Sequence, residues 1–184
     1  MQKKKTGGKI ILATKTLVFM ALMIALSIVL GKFLAINVTT MIRISLENLP
    51  ILLAAIVLGP YKGAVVALTA DLLGCILRGY EINPIVTIGC VTLAFLSGVI
   101  YRDMLMSPRK KLILSVGVGH LVGSVLIKTL GLASFYLSSY NMGFATLLGI
   151  RFVTYILTAT IEIAIILFLL RSKAIRNQIA KFRR

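Results

Sequence analysis

A chain of 184 residues with a mean hydropathy of +1.00 and only 14% charged residues falls well short of the ~25% charge typical of a water-soluble domain. Its net charge of +16 and pI near 10.4 would fit nucleic-acid binding, but the basic residues flank long apolar runs and form no patch of their own. Both a soluble globular fold and a nucleic-acid partner are excluded on that pattern, and the lipid bilayer is the expected surrounding.

The basic segment Met1 to Lys9 is expected to be disordered. A first apolar span follows over about Leu12 to Leu34, then a polar stretch from Asn37 to Thr40 leads to Arg43. The second span, about Ile44 to Leu58, is short and ends at Gly59-Pro60. The third runs from near Tyr61 to Arg78, and Gly79 to Pro84 forms a polar loop containing Asn83. The fourth covers about Ile85 to Tyr101, with a charged loop from Arg102 to Lys111 after it. The fifth extends over about Leu112 to Leu137. A polar loop from Ser138 to Gly143 separates it from the sixth, which ends near Leu170 before a basic tail over 171–184. Apolar runs of this length cross a hydrocarbon core about 30 Å thick. They must be helical, because lipid leaves no other partner for the backbone. The expected fold class is therefore an all-α membrane protein: a single bundle of six transmembrane helices forming one domain over 1–184.

Orientation follows from Lys and Arg in the connections. Lys3, Lys4, Lys5, Lys9, Lys15, Lys62, Arg102, Arg109, Lys110, Lys111 and the basic tail lie at one set of ends, against only Lys32, Arg43 and Arg78 at the other. This bias predicts both termini in the cytoplasm, in a multi-pass protein of the cell membrane.

Charge inside a span is costly, about 2.5–3.5 kcal/mol at mid-bilayer on insertion scales, so such residues should face the bundle interior. The last span carries Arg151, Thr154, Tyr155, Thr158 and Glu162 on one helical stripe. The fifth carries Gly117, His120, Ser124, Lys128 and Gly131, and the third Ala67, Asp71, Gly74 and Arg78. At about 1.5 Å of rise per residue, His120 and Glu162 both lie roughly 12 Å from their cytoplasmic ends and can pair. Asp71 lies near the middle, where it can pair with Arg78 on the same helical face or cap a neighbour. Lys128 and Arg151 sit in the outer half, either reaching a ligand or snorkelling to the outer surface. Arg43 and Arg78 mark the outer rim. Tyr136 and Tyr140 read as an aromatic belt. The candidate ligand-binding set is Arg43, Asp71, Arg78, Asn83, His120, Ser124, Lys128, Arg151 and Tyr155. Cys75 and Cys90 fall within apolar segments and lack metal-ligand spacing. No metal, cofactor or enzymatic chemistry is expected: the sole histidine and the lack of a paired-carboxylate motif leave little to catalyse with. In the first span, Ala21 and Ala25 are one turn apart, a spacing that lets another helix approach closely.

The Ala21–Ala25 pair, Pro50, Leu58-Gly59-Pro60 with Gly63, and Asp71-Leu72-Leu73-Gly74 together resemble the substrate-binding (S) components of energy-coupling factor (ECF) transporters, over nearly the whole chain. Ile42-Arg43-Ile44 leading to Asn48-Leu49-Pro50 looks most like the folate-specific branch. The resemblance implies high-affinity capture of a vitamin from outside, followed by delivery inward with a transmembrane coupling subunit and two ATP-binding cassette ATPases. It also implies that Ala21 and Ala25 dock the coupling subunit. The chain has no phosphate-binding loop of its own. Folate suits the polarity of the candidate site: its pterin edge matches a carboxylate and its anionic tail matches Arg or Lys. Riboflavin or pantothenate is the nearest alternative ligand. A stand-alone channel or exporter, needing no ATPases, is the more remote one.

Overall fold

The computed structural model describes residues 3–37, 43–133 and 143–172. Among these residues the chain forms six helices and one minimal ladder. Helix α1 (Lys3–Ile28) continues through a π-helical stretch (Val29–Phe33). Strands β1 (Ile36–Asn37) and β2 (Arg43–Ile44) pair antiparallel, with Ile36 opposite Ile44 and Asn37 opposite Arg43. Helices α2 (Asn48–Leu58), α3 (Pro60–Arg78) and α4 (Pro84–Asp103) follow. Helix α5 (Pro108–Ala133) is π-helical over His120–Ile127, and α6 (Phe144–Arg171) closes the bundle.

Five of these helices are long and apolar enough to cross a membrane: Ala13–Phe33 within α1, then α3, α4, α5 and α6. The fifth span is described as far as Ala133, and Tyr136 and Tyr140 lie outside the described residues, as does the basic tail from 173 on. Two expectations are corrected. The basic segment expected to be disordered is helical from Lys3. The second span is not a full crossing either: Arg43 and Ile44 belong to a strand, and α2 begins only at Asn48. Its 11 residues rise about 16 Å, roughly half the hydrocarbon thickness.

That short helix is the centre of the bundle. Asn48 to Ile56 is buried except at Leu53, and Leu52, Ala55 and Ile56 pack with Val66 and Ala70 of α3, Leu93 of α4, Val116 of α5 and Ile166 of α6. The long helices expose apolar side chains outward, among them Leu22, Ile76, Ile88, Leu130 and Phe168. In hydrocarbon such a surface carries no penalty, and association depends on close packing of small residues. Helices α4 and α5 show the closeness. A Cβ added to Gly89 would stand 2.6 Å from Lys128 Cγ and 2.7 Å from the Gly123 carbonyl oxygen, so only glycine lets the two backbones meet and seats the Lys128 stem between them.

Candidate ligand cavity

A cavity of about 710 Å³ opens at the end of the bundle where α2 begins. Every helix contributes to its wall: Lys32 at the end of α1, Asn48 of α2, Asp71 and Cys75 of α3, Val86 of α4, Lys128 and Leu132 of α5, and Arg151, Thr154, Tyr155 and Thr158 of α6. The segments around the ladder and between α3 and α4 complete it with Arg43, Ser45, Glu47, Tyr80, Glu81 and Asn83.

The polar stripe on α6 divides in two. Its first four members face the cavity, where Arg151 Nη2 donates to Tyr155 Oη at 2.9 Å and the guanidinium lies 5.4 Å from the Tyr155 ring centroid. Arg151 Nε is buried without a hydrogen-bond partner among the described residues. The fifth member, Glu162, lies below the cavity, fully buried, and a 2.7 Å hydrogen bond joins its Oε2 to His120 Nε2. The pairing expected from equal depth is present. The His120 ring stacks obliquely 5.8 Å from Tyr155, so Tyr155 touches both the cavity and the buried pair.

Lys128 does not snorkel. It is 3% exposed, and its Nζ lies 3.6 Å from Glu47 Oε1 and 3.4 Å from Asn48 Oδ1. Glu47 is set in place by α1. Ser27 Oγ donates to its carbonyl at 2.7 Å, and a Cβ on Gly31 would come within 2.6 Å of its own Cβ. Arg43 Nη2 donates to the Gly31 carbonyl, which brings a second cation beside the same carboxylate. Lys32 extends its ammonium 5.7 Å from the Tyr80 ring centroid, within reach of a cation–π contact. The cavity wall thus carries cations (Lys32, Arg43, Lys128, Arg151) interleaved with carboxylates (Glu47, Asp71, Glu81).

Of the candidate residues, Arg43, Asp71, Asn83, Lys128, Arg151 and Tyr155 come together around this cavity, whereas Arg78, His120 and Ser124 do not line it. Asp71 does not pair with Arg78. Its Oδ2 accepts from Thr87 Oγ1 at 2.7 Å, while Arg78 donates from Nε to the Lys32 carbonyl at 2.9 Å and covers the Phe33 ring. Asn83 is tied into the frame. Its Oδ1 accepts from the backbone of Ile85 and Val86 at the start of α4, and its Nδ2 donates to the Gly131 carbonyl of α5 at 2.6 Å. Ser124 is buried with its hydroxyl unpartnered among the described residues. Gly117 is exposed and leaves the face shared by His120, Ser124 and Lys128. Lys32, Asn48, Tyr80 and Glu81 line the wall outside the candidate set, and so does Glu47, which sequence reasoning missed. An acidic side chain directly before the most buried apolar run was the available signal.

The model of the family "ECF transporter, substrate-specific component" matches residues 15–170. The chain belongs to that family. As an S component it is part of a transporter, and its long apolar helices place it in a membrane. It is 30% identical over 118 residues to the folate transporter FolT of Clostridium novyi (strain NT), an alignment covering 63% of this chain and 67% of the relative. Two solved structures share its fold at a TM-score of 0.68. One is the S component of a bacterial ECF transporter, at 20% identity, covering 86% of this chain and 95% of the other. The second is FolT bound with folic acid, at 22% identity, covering 85% and 92%. Ala21 and Ala25 of this S component are both exposed on α1 among the described residues.

Proposed function

We propose that this S component captures folate with high affinity at the outer face of the cell membrane. It then delivers the vitamin inward together with a transmembrane coupling subunit and two ATP-binding cassette ATPases. The observation that carries the reading is the cavity itself, whose about 710 Å³ falls within the range of about 300–1,000 Å³ usual for small-molecule sites. Its wall offers carboxylates for the donor-rich pterin edge and guanidinium and ammonium groups for the anionic glutamate tail. The 30% identity to a folate transporter supports the same ligand.

The cavity opens at the ends that carry few basic residues, and the Lys- and Arg-rich ends lie opposite, so the charge bias turns the cavity outward and both termini inward. Arg43, Asp71, Lys128, Arg151 and Tyr155 are the proposed contacts, with Asn83 holding the wall between α4 and α5. Arg78 shapes the rim through Lys32, and His120 and Ser124 support the floor. Ala21 and Ala25 form the docking face for the coupling subunit.

Calorimetric titration of the purified protein with folic acid, riboflavin and pantothenate tests the reading. Saturable, one-to-one binding of folic acid alone is expected. Binding of either other vitamin in its place would move the protein to a different branch of the family, and flux through vesicles holding this chain alone would turn the reading to a channel or exporter.

A further inference from the structure

The loop between α4 and α5 lies at the opposite end of the bundle from the cavity and has no part in it. Leu105 at its tip is 101% exposed, and Met104 and Met106 on either side are also exposed. Cations bracket this apolar tip: Arg102 before it, and Arg109, Lys110 and Lys111 after it. Asp103 is the one acidic residue in the loop, and it already lies 3.8 Å from Arg102.

The position of the second group is locally unfavourable. Arg109, Lys110 and Lys111 occupy the first turn of α5, which holds no acidic residue, and Ser107 makes no side-chain capping hydrogen bond there. Three cations therefore gather at the positive end of a helix dipole, beside free backbone N–H groups, where an anion is the favoured neighbour. Among the described residues no acidic side chain pairs with them. The geometry of the spans says where an anion would come from. Helix α4 has 20 residues and rises about 30 Å, the thickness of the hydrocarbon core, so Asp103 reaches the level of the headgroups as the loop begins.

We infer that this loop is a lipid anchor: Met104, Leu105 and Met106 enter the boundary between headgroups and acyl chains, while Arg109, Lys110 and Lys111 hold the phosphates of anionic lipids. An apolar tip with a basic flank is the arrangement that binds an anionic interface, and juxtamembrane clusters of Lys and Arg are attracted by the surface potential of anionic leaflets. The inference is independent of the folate reading, because no residue in it touches the cavity.

The sequence contains no tryptophan, so Leu105→Trp supplies a single fluorophore at the tip. The full chain carrying it is reconstituted into vesicles of phosphatidylcholine, with or without phosphatidylglycerol, alone and combined with Arg109→Gln, Lys110→Gln and Lys111→Gln. All four positions are at the surface or half-buried, and an unchanged helical circular dichroism spectrum establishes that the variants fold. In anionic vesicles the emission is expected to shift to the blue and to be largely lost with acyl-brominated lipids. Both effects should fall away in the triple glutamine background and weaken in phosphatidylcholine alone. An aqueous spectrum quenched by iodide in anionic vesicles overturns the anchor. Shielding from iodide without quenching by brominated lipid overturns it in favour of a protein partner or a second copy. Equal quenching with and without the charges overturns the recognition of anionic headgroups.

Discussion

Glu47 and Lys128 stand 3.6 Å apart in the wall of the cavity, far apart in sequence and held in place from opposite sides. Glu47 is fixed by Ser27 and the open space over Gly31, and Lys128 by the α4–α5 contact at Gly89. The lysine ammonium thus reaches the cavity already compensated, and it retains donor capacity for a ligand anion because an ammonium has three N–H groups.

If Lys128 and Arg151 hold the ligand's carboxylates, Lys128→Met and Arg151→Met should each weaken folate binding. A lost charge-assisted hydrogen bond costs about 1.5–3 kcal/mol, roughly tenfold or more in affinity. Calorimetry on the two variants checks this. Affinities that stay within about twofold of the parent for both (under ~0.5 kcal/mol) would show that the ligand sits elsewhere.

The His120–Glu162 pair is fully enclosed, at 3% and 0% exposure. Removing one partner of a buried pair costs about 3–5 kcal/mol, whereas replacing both with apolar side chains is often neutral. Thermal unfolding in detergent should therefore rank His120→Leu and Glu162→Leu well below the parent and place the double variant above either single one. Additive losses in the double variant would mean that the two side chains act separately.

Ala21 and Ala25 are exposed, and Leu17, Val18 and Leu22 beside them are exposed too. Changing both alanines to Trp fills no space inside the bundle, so folate binding by the isolated protein should survive. Assembly with the coupling subunit and ATP-driven uptake should be lost, since bulk on a small-residue face prevents close helix approach. Uptake at the parental rate would place the partner on another surface. Loss of binding together with uptake would show that the face supports the fold itself.

Orientation is checked with single cysteines in a background of Cys75→Ala and Cys90→Ala. Glu81 beside the cavity and Arg109 at the far loop are both exposed, and Asn83 is avoided because it caps α4. From outside intact cells, a membrane-impermeant maleimide should label Glu81→Cys and spare Arg109→Cys. The reverse pattern would invert the topology.

Much of the helix layout was legible because lipid allows few solutions and because Gly59-Pro60, Gly79, Pro84 and Pro108 mark helix ends. The His120–Glu162 contact was legible too, since residues at equal depth on two polar stripes have few other partners. Glu47 was not. Its role depends on Ser27, Gly31 and Lys128, which converge only after three helices pack, and a residue in a short connection carries no periodicity. Arg78 failed for a related reason. The spacing from Asp71 fixes a direction along α3, but the helix ends at Gly79, and a side chain in the last turn is free to turn to the Lys32 carbonyl. The strand at Arg43 was hidden because a two-residue ladder is too short to alternate.

Helix α2 ends in the tight Gly59-Pro60 turn at one face and begins at Asn48 only about halfway across, by its rise. Asn48 and Glu47 are also where the cavity starts. The hollow is thus the unfilled half of a helical lane, with the other helices standing around it as walls. Its depth is set by where the chain between Ile44 and Asn48 stops being extended and starts to coil. Moving that transition toward Ile44 by a single turn would drive about 5 Å of backbone into the hollow. The capacity of the protein for a guest is written in the length of one helix as much as in the side chains that face it.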